Sequence, residues 1–273
     1  MANTISGNQD TDIAPSDVSY SHRYIAFIDV LGFGALVSES GKDQAVARRT
    51  IQRVSDAILC AIEELEENLG STSDLMYTQF SDSFVVSVDA DHPSMRRLFS
   101  FTLAILDVID SFLISRLLLR GGIARGQLIH TSKLLFGPAM NRAHELESKV
   151  AKVPRIVLDP MLDELEGLLP MLQLARDIDD LHYIDYFAPR KAFYLIPSWL
   201  QTIRQTIEEV PVVPALEEKR TWLVTKFNMA ISDFSYEGFK GRLDEYVDNG
   251  DANPAVVEDY AELLTYAREV RRL

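Results

Sequence analysis

Two aspartates in this sequence stand where a pair of carboxylates could share a metal ion. Asp29 ends an apolar run that is followed by glycine, and Asp82 lies in the turn between two short apolar runs. Each aspartate alone is also typical of an ordinary turn. A carboxylate at a strand end and another at a hairpin tip can face one another when the strands are neighbours. Together they predict a site for a hard divalent cation that also carries phosphate ligands.

The elements that would position these aspartates follow a recognisable order. They are the strand Tyr24–Asp29, the helix Gln44–Asn68, the hairpin strands Met76–Phe80 and Phe84–Val88, the helix Met95–Leu118 and a strand from Arg120 to His130. Helical and strand spacings of the apolar residues define them. The order β-α-β-β-α-β is ferredoxin-like and predicts an antiparallel sheet with both helices on one face. The expected fold class is therefore α+β, an α/β sandwich.

The remaining chain divides into a tail, a core and an extension. Residues 1–21 are polar and are predicted to be a disordered tail, and residues 22–159 form the predicted core. Residues 160–273 are expected to pack on the core as a mostly helical extension, because no linker separates the two parts. Further predicted elements are a helix that the segment Phe136–Asn141 leads into and that runs to about Lys152, a strand Pro154–Leu158, a helix after Pro160, a strand candidate Tyr183–Phe187 and mostly helical sequence from Ser198 onward.

Composition limits the class of partner. The formal charge of -14 disfavours a sequence-independent hold on nucleic acid, which needs many cationic contacts to phosphate. The apolar stretch Leu98–Leu119 contains charged residues, so it predicts a buried helix rather than a membrane span. The single Cys60 cannot form an internal disulfide and fits a reducing compartment. We therefore expect a cytoplasmic protein that binds neither nucleic acid nor a membrane directly.

Three segments resemble motifs of the class III nucleotidyl cyclases. These are Phe27–Phe33 with its aspartate and glycine-phenylalanine pair, Phe80–Phe84 with the turn aspartate, and Phe136–Asn141 at a helix start. The resemblance covers about residues 22–158. Within that superfamily the chain is most similar to the pyrimidine (uridylate or cytidylate) cyclases of bacterial Pycsar anti-phage defence. Those enzymes answer infection by making cyclic UMP or cyclic CMP.

The resemblance implies an assignment of roles. Asp29, Asp82 and the backbone carbonyl of Val30 would hold two Mg²⁺ or Mn²⁺ ions, and Asn141 would bind the ribose or the transition state. It also implies a homodimer with active sites at the interface. Formation of a 3′,5′-cyclic nucleotide from a triphosphate requires the ribose 3′-oxygen to attack the α-phosphorus while pyrophosphate leaves. Catalysis of that kind depends on positioning and charge neutralisation and needs no nucleophilic side chain.

The sequence departs from the family pattern at its usual catalytic arginine. That arginine lies four residues after the asparagine, where this chain has Glu145. Arg142 lies one residue after Asn141, roughly a hundred degrees round a helix. The candidate catalytic set is therefore Asn141, Arg142 and Arg125. Other cations that could reach a triphosphate are Lys149, Lys152 and Arg155.

The predicted base pocket also differs from that of adenylate cyclases. Thr78 and Leu134 occupy the positions that recognise adenine in that family. A leucine side chain cannot form a hydrogen bond with the amino group of adenine. Tyr77 and Phe136 adjoin these positions, as does Phe80, and would fill the space that a purine takes. We therefore predict a pyrimidine nucleoside triphosphate as substrate, with UTP ahead of CTP.

Alternative functions remain at this point. The chain could be a cytidylate cyclase, an adenylate or guanylate cyclase, or a cyclase-like domain that senses nucleotides without turnover. Glu145 favours the sensor, whereas retention of both Asp29 and Asp82 opposes it. For the signalling enzyme, a separate effector that responds to the cyclic nucleotide is expected.

Overall fold

A central β-sheet organises the protein. The computed structural model describes residues 19–70, 74–90, 95–162, 174–188, 193–232, 234–250, 252 and 254–273. In these residues the strands are β1 Ser21–Val30, β2 Met76–Phe80, β3 Ser83–Asp89, β4 Leu119–His130, β5 Leu135–Phe136, β6 Ile156–Leu158, β7 Leu174–Arg176 and β8 His182–Ile184.

Helices cover both faces of this sheet and make up most of the C-terminal part. They are α1 Phe33–Ser40, α2 Gln44–Leu69, α3 Met95–Ile114, α4 Pro138–Glu145, α5 Ile196–Glu208, α6 Glu217–Ala230, α7 Tyr236–Asp248, α8 Pro254–Glu258 and α9 Tyr260–Glu269. A π-helical turn, Leu146–Val150, continues α4. Across the described ranges, each helix is too short or too polar to span a bilayer.

The strand order confirms the predicted fold class. The sheet runs β2-β3-β1-β4-β6-β8-β7, with β5 paired to β4. β1 is antiparallel to both β3 and β4, and β6 is parallel to β4. The first four strands thus have the ferredoxin-like order β2-β3-β1-β4. β6, β7 and β8 widen the sheet beyond β4.

The two faces of the sheet carry different helices because β1 alternates its side chains between them. Tyr24, Ala26 and Ile28 pack into the main core with α2 and α3, as predicted for two helices on one face. Ile25 and Phe27 point to the other face, where they meet α4. We call this second side of the sheet the α4 face.

A glycine lets α4 approach the sheet closely. A Cβ atom added to Gly122 of β4 would lie 2.3 Å from the Cβ of Leu146 and 2.7 Å from the carbonyl oxygen of Ala143. Any larger residue would push the end of α4 and the π-helical turn away from β4. Gly122 therefore fixes how closely this helix and the side chains on it sit against the strand.

A buried ionic cluster joins the strand after α4 to the C-terminal part. Arg155 donates to Asp177 over 2.7 Å and also pairs with Asp179. Asp177 accepts from the indole of Trp222 at 2.7 Å and lies 3.1 Å from the ammonium of Lys226. We call this group the Asp177 cluster. It links the β7–β8 hairpin and α6 to the segment that leads into β6.

Several elements differ from the predicted ones. The helix α1 and the strands β5 and β7 were not predicted, α3 ends at Ile114 rather than Leu118, and β8 ends at Ile184 rather than Phe187. The predicted helix to about Lys152 is α4 followed by the π-helical turn. Residues 1–18 of the predicted tail and most of the predicted helix after Pro160 lie outside the described residues.

Candidate active site

Asp29 and Asp82 are brought together where β1 meets the β2–β3 turn. The amide of Val30 donates to the carbonyl oxygen of Asp82 at 3.0 Å, and the hydroxyl of Ser83 lies 3.5 Å from Oδ1 of Asp29. Burial raises the pKa of Asp29, a hydrogen bond from Arg120 opposes that rise, and the Asp82 charge adds to it. The two carboxylates therefore repel each other in a partly desolvated site.

Two residues in the left-handed backbone region shape this site. Gly32 (φ 80°) lies two residues after the end of β1 and is the N-cap of α1, in a conformation that costs glycine least. Ser81 (φ 57°) forms the two-residue turn with Asp82, and its side chain makes that conformation cost about 1 kcal/mol. Retention of this strain at the tip that carries Asp82 is typical of functional sites.

Arg120 is a cation in the site that the sequence did not single out. It lies directly opposite Asp29 in the β1–β4 ladder. Its Nε and Nη2 atoms donate to Oδ2 of Asp29 at 3.2 and 3.1 Å. The signal that could have found it is the antiparallel register, which places the residue before Gly121-Gly122 beside the end of β1.

Glu147 is a third carboxylate beside this pair. It lies in the π-helical turn, is only 3% exposed, and its Oε1 is 2.7 Å from Nε of Arg120. That oxygen makes no hydrogen bond with the described residues. Burial raises the pKa of Glu147, the Arg120 charge lowers it, and the Asp29 charge raises it. π-Helical turns inside α-helices are frequent at functional sites.

The charges of the site suit a divalent cation. Asp29, Asp82 and Glu147 face one guanidinium, that of Arg120, so negative charge is in excess. Carboxylate oxygens are the ligands that Mg²⁺ and Mn²⁺ prefer. No cluster of three or more His, Cys, Asp or Glu side chains in the described ranges is arranged to enclose a metal. Two carboxylates with the Val30 carbonyl and substrate oxygens are a ligand set that these residues can supply.

The candidate catalytic residues on α4 lie apart from this pair within one chain. Asn141 is exposed, and its side chain bonds to none of the described residues. Arg142 forms a two-pronged pair with Asp159 at 2.7 and 3.0 Å and also contacts Glu145 at 3.2 Å. Its hydrogen bond with Asp159 raises the pKa of Arg142. Glu145, in the position of the family's arginine, also pairs with Lys149 at 3.3 Å.

Two predicted site residues lie on the opposite face of the sheet. Arg125 is paired with Tyr24, whose ring belongs to the core under α2 and α3. The hydroxyl of Tyr77 donates to Glu66 of α2 at 3.1 Å. Neighbouring residues of a strand alternate between faces, so Tyr77 and Thr78 cannot line one pocket. The structure does not bring Arg125 together with Asp29.

Of the residues predicted for the base pocket, Thr78 lies on the α4 face, because its partner Val85 packs there. Thr78 lies 2.9 Å from Nε2 of His130, at the end of β4. Leu135 is the residue paired with His130, whereas Leu134 lies in the turn before β5 and is exposed. Phe136, exposed and opposite Ile129, meets the ring of Tyr20 at 6.4 Å. Leu135 therefore replaces Leu134 as the apolar neighbour of the Thr78–His130 pair.

Comparisons with known proteins give likenesses only at the level of structure. No family model matches this chain, and no curated protein matches it. The structure of a bacterial light-regulated adenylyl cyclase aligns with this chain at 15% identity and a TM-score of 0.45. The alignment covers 69% of this chain and 99% of the cyclase chain. The structure of the adenylyl cyclase CyaB from P. aeruginosa aligns at 12% identity and a TM-score of 0.45. That alignment covers 61% of this chain and 95% of the CyaB chain.

A third solved structure is the guanylate cyclase domain of RhGC from Catenaria anguillulae in complex with GTP. It covers 60% of this chain and 94% of its own, at 16% identity and a TM-score of 0.42. Identities and scores at this level give these likenesses no weight for activity or substrate.

Proposed function

We propose that this protein is a metal-dependent nucleotidyl cyclase of the class III type. The observation that carries the proposal is the convergence of Asp29 and Asp82, from a strand end and a hairpin tip, beside the single guanidinium of Arg120. Two facing carboxylates in a partly desolvated site are costly unless a cation offsets them. A site for divalent cations and a triphosphate accounts for that cost.

The residues of the chain divide the work as follows. Asp29, Asp82 and the Val30 carbonyl hold two Mn²⁺ or Mg²⁺ ions. Bound there, such ions lower the pKa of the ribose 3′-hydroxyl and neutralise the triphosphate. The first amides of α1, after Gly32, have no acceptor within the helix and can bond to phosphate oxygens. Arg120, which pairs with Asp29 in the free protein, would donate hydrogen bonds to the triphosphate in the loaded site.

The proposed assembly is a homodimer. Asn141 is exposed, and its side chain bonds to no residue that the structure describes, which suits a residue that completes the site of a second copy. It would there hold the ribose or the transition state, with the 3′-oxygen aligned for attack on the α-phosphorus. Arg142 is held by Asp159 and Glu145, so its role is to tie the last turn of α4 to the residue after β6 rather than to move to the phosphates.

The proposed substrate is UTP, converted to 3′,5′-cyclic UMP and pyrophosphate, with CTP as the alternative. Thr78 and Leu135 offer one hydroxyl and one apolar side chain, without the donor and acceptor pair that adenine requires. Phe80 is exposed on the same face and can stack on a base or fill purine space. The product would act as an anti-phage signal on a separate effector that responds to the cyclic nucleotide.

The test is incubation of the purified protein with each of the four ribonucleoside triphosphates and Mn²⁺, followed by mass spectrometry. Cyclic UMP and pyrophosphate in equal amounts support the proposal, and Asp82→Asn serves as the inactive control. Binding without turnover supports a nucleotide sensor, which the ion pairs of Glu145 at the arginine position favour. Cyclic AMP as the main product would contradict UTP as the preferred substrate and would still agree with a nucleotidyl cyclase.

A further inference from the structure

A chain of hydrogen bonds runs through the α4 face from a buried arginine to Thr78. Nε of Arg23 donates to Oγ of Ser87 at 2.8 Å. Oγ of Ser87 lies 2.8 Å from Nδ1 of His130, and Nε2 of His130 lies 2.9 Å from Oγ1 of Thr78. Arg23, Ser87 and His130 are all less than 9% exposed, whereas Thr78 is half-buried. The chain thus starts in the core and ends at the candidate base pocket.

Arg23 sets the direction of this chain because a guanidinium only donates hydrogen bonds. Oγ of Ser87 is the acceptor of Arg23, so the hydroxyl hydrogen of Ser87 needs an acceptor of its own. Among the residues that the structure describes, Nδ1 of His130 is the acceptor within reach. Leaving that buried hydrogen without a partner would cost about 1–3 kcal/mol. Nδ1 of His130 therefore carries no proton.

His130 is neutral, which fixes its second nitrogen. Burial, followed by the charge of Arg23, lowers the pKa of His130 to about 4. A neutral imidazole with a bare Nδ1 has its hydrogen on Nε2, and that hydrogen is donated to Oγ1 of Thr78. Thr78 bonds through its side chain to no other described residue. Its own hydroxyl hydrogen is therefore available to a ligand.

We propose that Arg23, Ser87 and His130 are positioning residues that make Thr78 a hydrogen-bond donor to the nucleobase. The site then takes a triphosphate whose base presents a carbonyl at that edge, uracil or guanine, and rejects the amino group of cytosine or adenine. An amino group there would oppose the Thr78 hydrogen, and the apolar Leu135 beside His130 offers no acceptor in exchange. This inference rests on the proposed nucleotide site and selects UTP over CTP within it.

The tautomer can be measured without any activity. The protein is labelled with ¹⁵N in its histidine rings, and the signals of His130 among the five histidines are identified by their loss in His130→Phe. At pH 7.5 we expect a protonated Nε2 and a bare Nδ1. A proton on Nδ1, or on both nitrogens, would overturn the proposal.

The selectivity is measured by the ratio of kcat/KM for UTP to that for CTP. Thr78→Val keeps the shape of the side chain and removes the hydroxyl, and we expect the ratio to fall about 10-fold or more. Thr78→Ser restores the hydroxyl and should keep the wild-type ratio. An unchanged ratio in Thr78→Val overturns this inference but does not contradict the proposed cyclase activity.

Binding of 3′-deoxy-UTP and 3′-deoxy-CTP, which cannot cyclise, separates this inference from the proposed function. Tighter binding of 3′-deoxy-UTP that Thr78→Val abolishes supports the donor role even if no nucleotide is turned over. Equal affinities for the two analogues in the wild type, or no binding of either, overturn it.

Discussion

Arg120 and Asp29 are directly paired residues of adjacent strands. Nη2 of Arg120 lies 3.1 Å from Oδ2 of Asp29. Arg120 also lies 2.7 Å from Glu147. It is therefore the resident counter-charge of a site with more carboxylates than cations. In the proposed enzyme a divalent ion would compete with Arg120 for the oxygens of Asp29, and this competition gives the first prediction.

Arg120→Met should strengthen the binding of Mn²⁺ in the absence of nucleotide, because it removes a like charge from beside the metal ligands. The same change should lower kcat/KM for cyclisation about 100-fold, because a donor to the triphosphate is lost. Calorimetry and initial rates measure the two effects. Arg176→Met, which removes an exposed ion pair with Asp180 far from the site in sequence, is the matched control. Weaker Mn²⁺ binding by Arg120→Met would contradict this account.

Asp29→Asn and Asp82→Asn should each lower activity by about 100-fold or more at saturating Mn²⁺, since an amide is a poor ligand for a hard cation. Asp29→Asn should unfold no earlier than the wild type in EDTA. The pKa of Asp29 is raised, so its ionised form is disfavoured in the folded state, and a neutral side chain avoids that cost. Added Mn²⁺ should raise the Tm of the wild type alone. Near-normal turnover by either variant would remove the metal assignment.

Mixing Asp29→Asn chains with Asn141→Ala chains should restore part of the lost activity. Each hybrid dimer would contain one site with both an intact Asp29 and an intact Asn141. Activity per chain should also fall on dilution below the dimer dissociation constant. Mass spectrometry of differently labelled chains checks that the subunits exchange. Exchange without recovery would show that Asn141 does not act across a dimer.

Gly122→Ala should destabilise the fold by about 1–3 kcal/mol and reduce activity, because its new Cβ would meet Leu146 at 2.3 Å and displace the turn that carries Glu147. Gly126→Ala is the control on the same strand, where the nearest atom to the new Cβ is 3.4 Å away. Urea unfolding measures both variants. Equal stabilities would mean that α4 can move from β4 without cost.

The free energy of unfolding should fall as the pH drops from about 6.5 to about 4 because of His130. Its pKa is about 4 in the folded protein and about 6.5 when unfolded, so the unfolded chain binds more protons in this range. The contribution is fully present above pH 6.5 and amounts to about 3 kcal/mol. Over this pH range the free energy of unfolding of His130→Gln should fall by about 3 kcal/mol less than that of the wild type. Parallel curves for the two proteins would show that His130 titrates normally.

The sequence predicted the strands and helices that bury strongly patterned apolar residues. β1 and the β2–β3 hairpin follow short runs that contain aromatic and β-branched residues, and α2 follows apolar residues at helical spacing. The short elements escaped prediction for physical reasons. β5 has two residues, and α1 starts between glycines that alone indicate a turn. The π-helical turn has no signal of its own in sequence.

The sequence singled out candidate site residues that lie in local motifs and overlooked the one that strand register brings beside Asp29. The pairing of Asp29 with Arg120 joins residues 91 positions apart, and only the alignment of β1 and β4 creates it. Alternation along β2 is by itself enough to place Tyr77 and Thr78 on opposite faces. Leu134 was chosen by counting through a loop, and the β4–β5 pairing shifts that place by one residue to Leu135.

The Asp177 cluster determines where this chain can be cut or fused. Arg155 precedes β6, is only 5% exposed, and takes its carboxylate partners from beyond residue 160. A gene rearrangement that kept residues 22–159 alone would leave a buried guanidinium without those partners, and β6 would lose its neighbour β8. An unpaired strand edge recruits strands from other chains. The two parts should therefore be inherited as one unit, and a shortened chain would have to replace both the charges and the strand.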